Sequence, residues 1–352
     1  MELLTILQEG VARGASDILI IAGLPVSYKV GGLITRHGDR LLPTDTDALT
    51  TAAYTLANNR NMKRYLDTGD DDFSVAVHGL ARFRVNALRQ RGSMGLVIRV
   101  VSFTLPDWGT LGIPENVIDF SRRTRGLLLV TGPAGSGKST TLACIVDAMN
   151  THFNAHIITI EDPIEYLHNH KNSIVTQREL DSDTSSYSAA LRAALREAPD
   201  IILLGEMRDP ETIKAAVTAA ETGHFVISTL HTTGAASTVD RIVDVFPPEQ
   251  QTQIRGQLAL TLEGITSQLL LPTTDGALAP AFEVMSVTPA IRTMIRDSKT
   301  HQIDNIISQS GELGMITLDR SILKLVQAGK ITASTALTHC INTEWLQKRL
   351  EI

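Results

Sequence analysis

Apolar and polar positions follow different periods in different parts of the chain. At the start, Leu3, Leu4, Ile6, Leu7 and Val11 recur at helical spacing up to Gly14. Residues 18–21, 26–30 and 73–77 then form short apolar or alternating runs of strand length. Gly31-Gly32, set between two such runs, predicts a two-residue hairpin turn. Residues 46–65 read as one helix, and 82–88 and 96–101 as two further strands around a loop at Arg91-Gly92-Ser93. Strands interrupted by helices indicate a small α+β domain over residues 1–102.

Pro106, Gly109, Gly112 and Pro114 punctuate the next stretch and predict an interdomain linker at 103–114. Beyond it the pattern changes. Residues 127–131, 157–160, 201–204 and 225–230 are continuous apolar runs separated by helical segments, with 138–150 a helix. Runs with no polar face belong to parallel strands covered on both sides, so residues 115–352 are expected to form an α/β domain. From Pro248 onward Ile254, Leu258, Leu262, Ile265 and Leu269 keep a helical period, and a helical C-terminal region is expected from about 285. There, Thr288-Pro289 is a helix start. Ile291, Met294 and Ile295 share one face of that helix, and Arg292 and Arg296 another.

Composition narrows the function classes. A chain of 352 residues with a formal net charge of -6 fits two domains and gives no reason to expect a nucleic-acid partner. The two cysteines, Cys144 and Cys340, stand outside any CxxC pair, which excludes a disulfide framework and a four-cysteine zinc site. No apolar run reaches the ~18 residues of a membrane span. The N-terminus lacks the basic start and apolar stretch of a signal peptide. A cytoplasmic protein is expected, held at a membrane only through a partner.

Gly132-Pro133-Ala134-Gly135-Ser136-Gly137-Lys138-Ser139, followed by Thr140, matches the phosphate-binding loop G-x-x-x-x-G-K-[ST] between an expected strand and an expected helix. Its glycines let backbone N–H groups face the β- and γ-phosphates of ATP, beside the positive end of the helix dipole. Lys138 supplies a point charge, and Ser139 is placed to ligate Mg2+. Two acidic clusters end other strands: Glu161-Asp162-Pro163-Ile164-Glu165, and Gly205-Glu206-Met207-Arg208-Asp209. A usual Walker B strand ends Asp-Glu. Here Gly205 takes the Asp place, which leaves Glu206 to support the metal and the first cluster to supply the base. His224 and His231 bracket the strand 225–230, and a histidine beside a phosphate site senses the γ-phosphate by hydrogen bonding.

These four motifs occur in the order found in the secretion-type ATPases of type II secretion, type IV pili and type IV secretion. Within that superfamily the chain most resembles the PilT family of pilus retraction motors. The Gly205–Asp209 stretch looks like that family's Walker B extension. Ala290-Ile291-Arg292-Thr293-Met294-Ile295-Arg296-Asp297 resembles its retraction motif, and Ala81-Arg82-Phe83-Arg84-Val85-Asn86 resembles its N-terminal domain. Leu19, Phe282, Met294 and Asp297 depart from the usual pattern.

The resemblance implies a PAS-like N-terminal domain and a RecA-like P-loop ATPase domain, assembled as a homohexameric ring with ATP between the domains. It implies that Arg84, Arg99 and Arg241 reach the phosphates, with Glu161, Glu165, Glu206, His224 and His231 in the nucleotide site. It further implies a platform protein of the inner membrane as partner, placing the motor at the inner face of the cytoplasmic membrane. The function so implied is ATP-driven pilus retraction; the alternative is an ATPase that energises a type IVB or type II secretion or conjugation apparatus.

Overall fold

The computed structural model describes residues 2–101 and 105–351. Residues 102–104, where the linker was expected to begin, lie outside the described residues. Contacts divide the chain into two compact units, Met1–Thr104 with Glu165–Leu167, and Leu105–Ile164 with His168–Ile352.

In the first unit β1 (Asp17–Ile21), β2 (Val26–Val30), β3 (Leu33–His37), β4 (Asp70–Val77), β5 (Ala81–Gln90) and β6 (Ser93–Val101) form one sheet in the order β3-β2-β1-β6-β5-β4. All neighbours are antiparallel. The β2–β3 turn holds Gly31 and Gly32 at φ of 56° and 83°, as a two-residue hairpin requires. Leu3, Ile6 and Leu7 of the first helix join Ile18, Ile20, Tyr28, Phe83 and Ile98 in its core.

The single helix expected at 46–65 is two, Pro43–Leu56 and Lys63–Thr68. Asn58 and Asn59 adopt positive φ, which Asn tolerates better than most residues, and end the first helix. Arg60, freed by the break, pairs at 3.0 Å with Asp71, a buried carboxylate that also accepts a 3.1 Å bond from Tyr54.

The second unit holds β7 (Gly126–Thr131), β8 (His156–Glu161), β9 (Ile174–Glu179), β10 (Ile201–Leu204), β11 (Phe225–Leu230), β12 (Leu262–Pro272) and β13 (Leu278–Ser286), in the order β13-β12-β7-β11-β10-β8-β9. Only the β12–β13 pair is antiparallel. Leu127, Leu129, Ile202 and Leu204 pack on one face, while Leu128, Val130, Ile201 and Leu203 pack on the other. Both faces are covered, as their unbroken apolar runs require. Residues 105–114 of the expected linker belong to this unit. Ile113 is in its core, and Leu105, Trp108 and Leu111 pack against it. Proline and glycine there prevent regular structure without preventing burial.

The largest departure is β12. The helix from Pro248 stops at Thr261, and Leu262 begins a strand that pairs in parallel with β7. Leu262, Ile265 and Leu269 match a helical period only because both faces of this strand carry apolar residues. Gly264 makes the close approach possible, since a Cβ there would meet the Phe120 ring and stand 3.0 Å from the Met285 carbonyl oxygen. Pairing with β7 outweighs a short-range pattern.

The C-terminal region is helical as expected, but its first helix, Pro289–Arg296, does not present two equivalent arginines. Arg292 donates to the carbonyls of Ala259 and Leu260 at 2.7 and 2.8 Å and pairs with Glu263 at 2.7 Å. It thereby caps the C-terminus of the helix from Pro248. Arg296 is exposed and meets only its neighbour Asp297 among the described residues. Arg292→Ala is therefore expected to lower stability by about 2 kcal/mol. Arg296→Ala should stay within about 0.5 kcal/mol of the parent. Denaturant midpoints of the two single variants check both values.

Candidate active site

The functional motifs collect along the C-terminal edge of the parallel sheet, where open α/β sheets bind ligands. The phosphate loop follows β7 and leads into the helix Lys138–His152. Gly132, Gly135 and Gly137 have φ of 140°, 75° and 88°, so the loop depends on residues without a Cβ. Pro133, Ala134 and Gly135 are exposed at the tip, while Ser139 and Thr140 are half-buried at the start of the helix. Lys138 is buried, and its ammonium donates to the carbonyls of Gly132 and Pro133 at 2.8 Å each. Ser136 buries its hydroxyl within the loop with no partner among the described residues.

Gln268 braces this loop from β12. Its side-chain oxygen accepts from the Thr141 hydroxyl at 2.7 Å, and a Cβ on Gly137 would stand 2.8 Å from its amide nitrogen. A Cβ on Gly132 would collide with the Gln268 carbonyl oxygen. The sequence reading missed Gln268, because it lies in the stretch read as helix.

β11 neighbours β7 and β10 neighbours β11. At a strand spacing of ~4.8 Å, the end of β10 stands about 10 Å from the phosphate loop. Glu206 follows β10. It pairs with Arg208 at 2.7 Å and with His231, which follows β11, at 3.4 Å. Glu206, Arg208, His231 and Arg241 line one cavity of about 380 Å³. Glu161 ends β8, level with Gly205, whose N–H donates to the Ile160 carbonyl at 2.8 Å. Its carboxylate accepts from Thr159 at 2.6 Å and from Gln177 at 3.2 Å.

Not every candidate joins this edge. His224 immediately precedes β11 and so stands at the opposite end of the sheet, about 20 Å away by strand rise. Its Nδ1 lies 3.0 Å from the Ala219 carbonyl and 3.2 Å from the Thr222 hydroxyl, which makes it a cap on the preceding helix. Within one chain His224 therefore stands apart from the phosphate-loop edge. Glu165 is exposed and groups with the first unit.

Arg84 and Arg99 are direct cross-strand partners on β5 and β6, and they line a cavity of about 170 Å³ with Asp17, Asp72 and Asn86. Arg99 also pairs with the buried Asp17 at 3.1 Å. Glu283, on β13, is buried and accepts from the backbone N–H of Ala235 at 2.7 Å and of Leu318 at 3.4 Å. It joins the helix that follows the His231 segment to the C-terminal helix Leu318–Gln327. Burial raises its carboxyl above the usual range, partly offset by those two donors.

A phosphate loop, a glutamate and a histidine on neighbouring strand ends are shared by many P-loop proteins, so the wider comparisons decide the family. A family model described as type II/IV secretion system protein matches residues 2–303. The chain is 45% identical to the type IV pilus retraction ATPase PilT of Pseudomonas aeruginosa, over 96% of this chain and 97% of that one. It is 43% identical to a twitching motility protein of Neisseria gonorrhoeae, over 89% of this chain and 85% of that protein. Among solved structures, the pilus retraction motor PilT with bound ADP matches with a TM-score of 0.91 at 43% identity, covering 99% of each chain. The ATPase DotB of Legionella pneumophila matches with a TM-score of 0.81 at 26% identity, over 96% of this chain and 95% of that one. With likeness running through both units at this level, the chain belongs to the PilT family of the type II/IV secretion system proteins.

Proposed function

We propose that this protein is a hexameric ATPase that powers retraction of a type IV pilus, working against a platform protein at the inner face of the cytoplasmic membrane. The observation that carries the reading is the placement, on one sheet edge, of the phosphate loop after β7, Glu206 after β10 and His231 after β11. The loop suits a nucleotide, since its glycines hold positive φ and its buried Ser136 hydroxyl has no partner among the described residues. Backbone N–H groups of residues 135–140 and the Lys138 ammonium bind the phosphates. Ser139 and Glu206 are the residues that would hold Mg2+, which when bound supplies positive charge at the β- and γ-phosphate oxygens. Glu165 takes the role of base, and His231 reports on the γ-phosphate through its bond to Glu206.

Arg84 and Arg99 act on the phosphates of a neighbouring subunit, which ties hydrolysis to motion between subunits, and Arg241 reaches the phosphates from the cavity it lines with Glu206 and His231. Light scattering on the purified chain is expected to give a six-subunit mass. Arg84→Ala is expected to lower turnover by about 100-fold or more without lowering the melting temperature. Arg84 is the cleaner target, because Arg99→Ala also leaves the buried Asp17 without its ion pair. A monomer with full activity in the Arg84→Ala form would contradict the shared site.

A further inference from the structure

His231 lies between the end of β11 and the start of the helix Ala235–Asp244, so the start of that helix limits where the histidine can stand. The local sequence does little to fix this start. Gly234 occupies the cap position, no side chain caps the helix among the described residues, and its first turn carries no acidic residue. The N–H groups of Gly234 and Ala235 are therefore donors that the helix itself leaves without partners.

The sheet supplies both acceptors. Ser267 on β12 and Glu283 on β13 are direct partners in the antiparallel pair, so their side chains share one face. The Ser267 hydroxyl accepts from the Gly234 N–H at 2.9 Å, and Glu283 Oε1 accepts from the Ala235 N–H at 2.7 Å. Ser267 and Glu283 are both buried. Within the turn, the Thr238 hydroxyl donates to the Gly234 carbonyl at 2.7 Å and lies 2.7 Å from the hydroxyl of Thr232, the residue after His231. The other Glu283 oxygen accepts from the Leu318 N–H at 3.4 Å. The helix that Leu318 begins already has a cap in Thr317, whose hydroxyl accepts from the Arg320 N–H at 3.4 Å. One donor on each oxygen holds the carboxylate in a single orientation.

We propose that Glu283 is a positioning residue for hydrolysis: with Ser267 it fixes the start of the helix Ala235–Asp244 and thereby holds His231 beside Glu206. Burying a carboxylate is costly, and an apolar side chain would fill the same space without that cost. What the carboxylate adds is direction. Two buried acceptors aimed at consecutive N–H groups fix the turn after His231 in both place and rotation, which packing alone does not. His231 then meets Glu206 at 3.4 Å from a backbone that cannot slide. The proposal rests on the phosphate-loop edge being the hydrolytic site.

Phosphate release by the full chain tests this. Glu283→Gln keeps the shape but leaves one acceptor oxygen for two N–H groups. It is expected to lower kcat about tenfold while KM for ATP stays within about twofold, as for a displaced group that acts in reaction more than in binding. In a His231→Ala background the same exchange should cost less than about twofold, because the group it displaces is already gone. Equal losses in the two backgrounds would mean a structural role alone and would overturn the proposal. So would an unchanged kcat in Glu283→Gln. If Glu283→Gln does not fold, Ser267→Ala decides, since it leaves Glu283 in place. That variant should lower kcat about threefold in the parent and not in His231→Ala. No loss in the parent, or the same loss in both, would overturn the proposal. Lys138→Ala, run beside these, separates the two levels of the argument: if that variant turns over normally, the site reading itself fails. If it is inactive while Glu283→Gln is normal, only the role of Glu283 fails.

Discussion

Lys138→Ala is expected to reduce ATP turnover by at least about 100-fold, the scale of losing one preorganised charge at a phosphoryl-transfer site. The ammonium sits inside the loop, buried and held by the Gly132 and Pro133 carbonyls, so no flexible surface lysine can take its place. Nucleotide affinity should fall as well, because part of the same charge acts in the ground state. The fold should survive. Gly132 and Gly137 lie so close to Gln268 that neither has room for a Cβ, and Gln268 also bonds the Thr141 hydroxyl, a brace that does not involve the lysine. Phosphate release measured beside the melting temperature checks both statements.

Glu206→Gln is expected to show a different profile, with turnover down by about 100-fold or more and ATP binding largely intact. Glutamine keeps the shape but loses the charge that pairs with Arg208 at 2.7 Å and His231 at 3.4 Å. The loop N–H groups and Lys138 still hold the phosphates. The exchange therefore removes an interaction needed mainly for reaction, which lowers kcat more than it changes KM. Fluorescent-nucleotide binding measured on the same preparation as turnover separates this from the Lys138 effect. Equal losses of binding in the two variants would place Glu206 in nucleotide binding instead of reaction.

Much of the site was legible in the sequence because each part carries its own local signal. The phosphate loop is a fixed spacing of glycines, lysine and serine between strand and helix. Glu161 and Glu206 follow apolar runs that only a buried parallel strand explains. What was not legible depended on neighbours distant in sequence. Gln268 reaches the loop only because Leu262–Pro272 pairs with β7, and its apolar residues also fit a helix. His224 and His231 look alike as a bracketing pair, but a six-residue strand puts them at opposite ends of the sheet. Arg292 and Arg296 share helical spacing, yet only tertiary packing shows that Arg292 caps another helix while Arg296 faces solvent.

The central claim, that hydrolysis at this edge drives pilus retraction, is tested most directly in cells that make a type IV pilus and lack their own retraction ATPase. Fluorescently labelled pili are watched while this chain is expressed, either as it stands or as Lys138→Ala, at equal protein level. The account predicts that the parent chain restores retraction events and that Lys138→Ala leaves pili extended. Retraction at the same frequency with Lys138→Ala, or none with a parent chain that hydrolyses ATP in the same cells, would contradict it.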